Sequence, residues 1–286
     1  MKKVIVLGSN GQLGRTVKDF AERETIEFSF FSRSDLDITI KEDLLSAFKL
    51  KNFDYCINCA AYTNVEGAEK NLEDTFNINA EGARNIAEVC NTHKVKLIHI
   101  STDYVFDGKK GKPYTTTDQT NPINQYGKSK LQGEIYIQEK LKDHYIIRTS
   151  WLYSLHGKNF LKTIISKIKD NIVLNITTEE VGTPTSCPDL TEFIIHLVET
   201  GTVPFGIYNF SANGSTTWFG FAKEIVKNLD QKKRSNILPN EKFKTLAERP
   251  KFSVLCPMKT EKHYRVLNNW QKSVSHLVEE YKNQNS

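Results

Sequence analysis

The stretch Lys3-Val4-Ile5-Val6-Leu7-Gly8-Ser9-Asn10-Gly11-Gln12-Leu13-Gly14 decides how this chain folds. Val4 to Leu7 is an aliphatic run of the length and composition of a buried strand, and Gly8 ends it. Three glycines follow in GxxGxxG spacing, one residue wider at the front than the GxGxxG dinucleotide fingerprint. Gly8 permits a tight turn, Gly11 lets backbone N–H groups approach a pyrophosphate, and Gly14 lets a helix pack closely on the strand. The helix that starts at Gln12 would turn its N-terminus toward the phosphate charge. A strand, a glycine turn and a helix at the first junction predict a dinucleotide site.

The same alternation continues outward. Strands are expected at Ile26–Phe31, 54–58, 95–100 and 144–148, with helices at 12–22, 41–51, 73–93 and 126–141 between and after them. Such alternation implies α/β architecture, a doubly wound parallel sheet with helices on both faces, over residues 1–150. Beyond residue 150 the helices at 160–169, 189–199, 218–229 and 274–282 are separated by longer loops. Residues 151–286 are expected to form mainly a smaller α+β lobe, with room for some later segments to return to the first domain.

Composition narrows the functions. Hydrophobic residues make up 38% of the 286 residues and charged ones 26%, enough apolar material for a core and too much for a disordered chain. The aliphatic run near the N-terminus is too short for a secretory or membrane segment, so no membrane association is expected. Thirty-nine basic residues against 34 acidic ones give a net charge of +5, and the densest basic cluster is Lys232-Lys233-Arg234, which argues against a nucleic-acid partner. Five scattered cysteines make no disulfide framework, and a reducing, cytoplasmic setting is expected. Cys56 and Cys59 form a CxxC without a second pair or paired histidines, so core packing on opposite faces is expected rather than a metal site.

Tyr126 and Lys130 are four residues apart on an expected helix, so they share a face. A nearby ammonium would lower the phenol pKa from about 10 toward the range of an acid/base catalyst. Ser101-Thr102-Asp103 stands at the carboxyl end of the fourth strand, where ligands of parallel sheets bind. Asn58-Cys59-Ala60-Ala61 ends the third strand, where small residues let a flat ring or a ribose lie close. About 20 positions beyond Gly14 stand both Arg33, suited to a ribose 2′-phosphate, and Asp35, suited to a 2′-hydroxyl. The cofactor expected is therefore NADPH or NADH, with Arg33 directly after the strand tilting the balance to NADPH. His99 is expected to pack within the fourth strand, and Asn79 to support the site by hydrogen bonding.

With these residues in place the chain resembles the extended short-chain dehydrogenase/reductases, and among them the dTDP-4-dehydrorhamnose reductase family. The resemblance rests on Gly8 to Gly14, Leu36-Asp37-Ile38, Asn58 to Thr63, Ser101 to Gly108, Tyr126 to Glu134, Arg148 to Tyr153, Gly157 to Phe160, Gly182 to Thr185 and Gly206 to Asn209. It covers nearly the whole chain and implies a Rossmann domain. It implies Thr102, Tyr126 and Lys130 as the catalytic trio, the last two also touching the cofactor. Gly11, Gln12, Leu13, Asp37, Ile38, Ala60, Ala61 and Tyr62 would line that cofactor, joined by Gly8, Asn10, Gly14 and Arg33. Thr102, Asp103 and Trp151 would face a nucleotide sugar.

The implied reaction reduces the C4 ketone of dTDP-4-dehydro-L-rhamnose to dTDP-L-rhamnose, by a monomer or weak homodimer. The rivals are a reductase of another 4-keto-6-deoxy nucleotide sugar and a non-catalytic dinucleotide-binding regulator. Two segments depart from the family pattern. Thr178-Glu179-Glu180-Val181 stands where an aspartate–glutamine pair is usual, and Cys256 stands where an aspartate is common. Both bear on the sugar rather than the chemistry. Some relatives are metal-bridged dimers through glutamates; those ligands have no clear counterpart here, and no metal is expected. Arg249, just before Pro250, is a candidate diphosphate contact on charge alone.

Overall fold

The computed structural model describes residues 1–22, 25–230, 232, 236–241 and 244–285. Lys233 and Arg234 of the expected basic cluster, and the terminal Ser286, lie outside the described residues. The first half of the chain runs β1 (Lys2–Leu7), α1 (Gln12–Asp19), β2 (Ile26–Phe31), α2 (Lys41–Leu50) and β3 (Tyr55–Asn58). Two short helices follow, α3 (Val65–Ala68) and α4 (Leu72–Phe76), then α5 (Gly82–His93), β4 (Lys96–Thr102), α6 (Gln125–Lys140) and β5 (His144–Thr149). A sixth strand, Gly206–Asn209, pairs with β5. All neighbours run parallel, in the order Gly206–Asn209, β5, β4, β3, β1, β2. This is the doubly wound sheet expected from the alternation.

Alternate residues of β1 feed the two faces, as the two-residue period of a strand requires. Val4 and Val6 pack with Leu13 and Val17 of α1 and with the helix Cys187–Thr200. Ile5 and Leu7 pack with Leu44 and Phe48 of α2, Ile86 of α5 and Ile137 of α6. Phe193, Ile194 and Leu197, together with Tyr208 on the sixth strand, are buried in the first of these cores, so residues well past 150 return to the sheet. A third core joins the helices Phe160–Lys169, Trp218–Leu229 and Trp270–Gln284 through Leu161, Ile165, Phe221, Ile225, Val274 and Val278. Short strand pairs such as Leu174–Thr177 with Ile237–Asn240 complete this α+β part.

The segment expected as one helix over 73–93 is interrupted. Residues Asn77–Glu81 form a π-helical turn between α4 and α5. The wider turn aims Asn79 inward, where its carboxamide accepts from Tyr62 N–H at 2.8 Å and donates to Tyr62 C=O and Ser129 Oγ at 3.0 Å each. The supporting role expected of Asn79 is therefore visible as contacts to the α6 helix and to the segment after β3.

The sheet reverses its winding direction beside β1, with β2 on one side and β3 on the other. Crevices open there above the carboxyl ends of the strands. The α6 helix is fixed beside this opening by a buried ion pair. Glu134 on α6 is fully buried and accepts from Arg148 of β5 at 2.7 Å (Nη2) and 3.0 Å (Nε), and from Ser101 Oγ of β4 at 2.5 Å. Removing one member of such a pair strands the other charge in the interior. Glu134→Ala should lower the unfolding free energy by about 3–5 kcal/mol, read by chemical denaturation. A loss below about 1 kcal/mol, the scale of a surface pair, would show that the pair is not the pin described here.

Candidate active site

The glycine turn is built to bring backbone close to a ligand. Gly8 has a φ of +74°, and a Cβ on it would lie 2.6 Å from Ala60 N. A Cβ on Gly14 would lie 2.6 Å from Gly8 O, so α1 could not pack against its own entry loop with any larger residue. The α1 helix opens at Gly11 with no side-chain cap, which leaves first-turn N–H groups available to an anion. These features suit a dinucleotide pyrophosphate.

Two cavities meet at this turn. One of about 210 Å³ is lined by Gly8, Asn10, Gly11, Arg33, Asp37, Ile38, Ala60 and Ala61. The other, of about 610 Å³, takes Asn10, Gly11, Gln12, Leu13 and Ala61 on one side and Thr102, Asp103, Tyr126, Lys130 and Trp151 on the other. Residues separated by more than a hundred positions thus share one space. Gly14 and Tyr62 line neither cavity. Gly14 packs beneath the loop, and the Tyr62 hydroxyl accepts from Asn71 Nδ2 at 3.3 Å. Of Arg33 and Asp35, Arg33 lines the smaller cavity, whereas Asp35 turns back to Ser32, accepting from its N–H at 2.8 Å and its Oγ at 2.6 Å. Arg33 stays at the cavity, mostly exposed, with Asp37 at 3.2 Å.

The expected trio comes together from β4 and α6. Thr102, the last residue of β4, caps the following turn by accepting from Tyr104 N–H at 3.1 Å. Asn124 caps α6 by accepting from Gly127 N–H at 2.8 Å, which starts the helix so that Tyr126 and Lys130 face the cavity. The electrostatics differ from the sequence expectation. Burial pushes the Tyr126 phenol up to about 12, with the nearby Asp103 carboxyl acting the same way, while the Thr102 hydroxyl donates to Asp103 Oδ1 at 3.1 Å. The Lys130 amine is turned to Ile100 C=O at 2.7 Å and His99 Nε2 at 3.2 Å, and burial takes it down to about 8. The ammonium therefore does not lower the phenol in the free chain, because desolvation outweighs it and the amine is directed elsewhere.

On the opposite wall, sequence reasoning named Trp151 and missed Trp218, which also lines the cavity. Trp151 adopts a φ of +46° and stacks on Trp218, ring centroids 3.7 Å apart and 9° from parallel. Its other side lies against Gly182, where a Cβ would come within 2.6 Å of the indole. Gln12 Nε2 donates to Leu152 C=O at 3.2 Å and Asn159 Nδ2 to Gln12 Oε1 at 3.2 Å, tying the glycine turn to the second part of the chain. No spacing signals these contacts, since each joins residues far apart in sequence. Arg249 stands at a third cavity of about 630 Å³ with Glu179 and Glu180, paired to Glu66 at 2.9 Å.

Cys56 and Cys59 pack on opposite faces of the sheet. Burial pushes the Cys59 thiol up to about 12, which leaves it protonated and unreactive. Among the described residues no cluster of three or more His, Cys, Asp or Glu side chains could hold a metal, and no helix is long and apolar enough to cross a membrane.

A glycine-turned Rossmann sheet with Thr102, Tyr126 and Lys130 lining one cavity at its carboxyl edge defines an extended short-chain dehydrogenase/reductase. Within that class, the profile of the RmlD substrate binding domain matches residues 1–283, and the chain belongs to this family. It is 32% identical over 289 residues to the dTDP-4-dehydrorhamnose reductase of Aggregatibacter actinomycetemcomitans, covering 97% of this chain and 98% of that one. It is 32% identical over 280 residues to the spore coat polysaccharide biosynthesis protein SpsK of Bacillus subtilis, covering 98% of each. The crystal structure of dTDP-4-dehydrorhamnose reductase from Bacillus anthracis in complex with NADP superposes with a TM-score of 0.91 at 35% identity, covering 98% of this chain and 100% of that one.

Asp103 gives the site a pH signature. Burial pushes its carboxyl up to about 7, with hydrogen bonds from Ser253 and Thr102 pulling the other way. An unfolded aspartate titrates near 4, so between about pH 4 and 7 the folded chain holds more protons and loses stability as pH rises. Asp103→Asn should match the parent near pH 4 and exceed it by on the order of a few kcal/mol above pH 7. Denaturation across that range checks this; a constant difference at all pH values would contradict it.

Proposed function

We propose that this protein reduces the C4 ketone of dTDP-4-dehydro-L-rhamnose to give dTDP-L-rhamnose, using NADPH in preference to NADH. The observation that carries the chemistry is the cavity that Thr102, Tyr126 and Lys130 share with the glycine turn. Gly8, Gly11 and the open end of α1 would hold the pyrophosphate, Ala60 and Ala61 would border a ribose, and Lys130 would hold ribose hydroxyls. A reduced nicotinamide, when bound, supplies the hydride that converts the ketone carbon to an alcohol carbon.

The chain's own residues supply the proton and its setting. The Tyr126 phenol, held at about 12, is protonated at neutral pH and is ready to donate to the developing alkoxide. Thr102 Oγ1 orients the keto oxygen beside it, and preorganised donors at that oxygen lower the barrier. Asp103 is placed to meet sugar hydroxyls, and the Trp151–Trp218 stack forms an apolar wall that keeps water from the reacting centre. Exposed Arg33 at the rim of the smaller cavity supports a 2′-phosphate on the cofactor, since the competing Asp35 is occupied by Ser32.

A different 4-keto-6-deoxy sugar is the second reading, favoured by Glu179 and Glu180 standing at the Arg249 cavity in place of the usual pair. The deciding assay incubates the protein with NADPH and dTDP-4-dehydro-L-rhamnose and identifies the sugar by NMR. dTDP-L-rhamnose supports the proposal; cofactor oxidation only with another keto sugar supports the second reading; none with any keto sugar defeats both.

Tyr126→Phe should lower kcat at least about 10²-fold while cofactor binding persists, because the ring stays and only the proton donor goes. Near-normal turnover would remove Tyr126 from the mechanism. Arg33→Ala should raise the KM for NADPH about tenfold or more relative to that for NADH, the scale of one charge-assisted hydrogen bond. Equal effects on the two cofactors would show that Arg33 does not read the 2′-phosphate.

A further inference from the structure

His99 is buried on β4 beneath the Lys130 amine, and the hydrogen bonds around it run in one direction only. Ala60 N–H donates to Asn58 Oδ1 at 3.0 Å. A backbone amide can only donate, so it fixes the Asn58 carboxamide with Nδ2 toward His99 Nδ1, 3.0 Å away. The carboxamide nitrogen also only donates, so Nδ1 must accept. A neutral imidazole with an accepting Nδ1 carries its proton on Nε2, and that nitrogen lies 3.2 Å from Lys130 Nζ. A donor aimed at Nζ needs a lone pair there, which an amine has and an ammonium lacks. The other bond of Nζ, donated to Ile100 C=O at 2.7 Å, is open to either form.

We propose that His99 is a positioning residue that favours the uncharged form of Lys130, through a one-way chain of hydrogen bonds from Ala60 N–H by way of Asn58 and the imidazole to Nζ. To charge the lysine, the Nε2 proton passes to Nζ and Nδ1 takes one from solvent. One proton is taken up, and the ring is neutral before and after. The new Nδ1–H then faces the Asn58 amide nitrogen, so either that contact is lost or Asn58 turns over and abandons Ala60. The charge of the lysine and the tautomer of the histidine are coupled.

The surroundings agree. Burial keeps the imidazole well below its usual value, so the ring stays neutral in either state of the lysine. Burial also lowers Lys130, while Glu134 favours its ammonium. Glu134 is already engaged by Arg148 at 2.7 Å. Tyr126, one turn before Lys130, is protonated, and Asp103 faces that phenol from the turn after β4. A ligand hydroxyl accepting from Nζ would favour the ammonium, so ligand arrival and proton uptake are linked. That consequence for catalysis rests on the reductase reading; the tautomer does not.

The test is 15N NMR of the imidazole rings of the ligand-free full chain from about pH 6 to 10, the range around a lysine taken down to about 8, with His99 assigned by His99→Gln. The expected spectrum at the alkaline end has a pyridine-type Nδ1 and a pyrrole-type Nε2 on His99. The two should exchange character as pH falls, at the same midpoint as the 13C shift of Lys130 Cε, with no imidazolium formed. An Nδ1–H tautomer at high pH, or a ring indifferent to the lysine titration, overturns the proposal. His99→Phe keeps an aromatic ring and removes the donor, so the Lys130 midpoint should rise by about one pH unit. An unchanged midpoint in that variant, folded by circular dichroism, also overturns it. No ligand enters these measurements, so a chain that reduced no nucleotide sugar would defeat the reductase reading and leave this result standing.

Discussion

Glu134 has no contact with solvent, and its two oxygens are shared between Arg148 on β5 and Ser101 on β4. The α6 helix is thereby held across two strands at once, at the height where those strands end. Lys130 and Tyr126 lie one and two turns earlier on the same helix, so the pin that seats Glu134 also sets where the amine and the phenol stand relative to Thr102. The net worth of a buried pair is small when it forms and large when it is broken, which makes it a device for geometry more than for stability. The Arg148 guanidinium lies 5.1 Å from the Phe106 ring centroid, so it also braces the segment that follows β4.

Burial also sets the protonation states. Removing a phenol, a carboxyl and an ammonium from water favours the neutral form of each. Tyr126 and Asp103 keep their protons longer and Lys130 loses its proton sooner than in water. The free site is therefore less charged than the residue names suggest. Such a site can hold a proton on the phenol until a keto oxygen arrives, and any charge that develops there acts in a medium that screens it weakly.

The parts of this structure legible in the sequence are those encoded locally. The buried run Val4 to Leu7, the glycine spacing and the four-residue separation of Tyr126 and Lys130 each follow from a short period, and each is where it was expected. Arg33 and Asp35 could not be told apart in sequence, because which of them faces the smaller cavity depends on whether Asp35 finds the Ser32 N–H. The phenol's electrostatics were misread for a related reason: the helix period places Lys130 near Tyr126 but does not say that its amine turns to Ile100 and His99. The Trp151–Trp218 stack and the Gln12 contacts with Leu152 and Asn159 were invisible, and a return of later segments to the sheet was allowed for without showing that Gly206–Asn209 makes it. They join segments whose separation along the chain carries no periodic signal. The π turn at Asn77–Glu81 sits inside a stretch whose composition reads as continuous helix, and only the partners of Asn79 explain it.

The central claim is that one half-buried phenol, at a cavity bounded on one side by the glycine turn and on the other by the tryptophan stack, hands its proton to a sugar ketone. A crystal structure of the protein with NADP and dTDP-L-rhamnose tests this most directly. The account predicts Tyr126 Oη and Thr102 Oγ1 both within hydrogen-bonding distance of the sugar O4, with the Trp151 indole against the sugar. A phenol turned away from O4, or a sugar seated outside the cavity that Tyr126 lines, would contradict it.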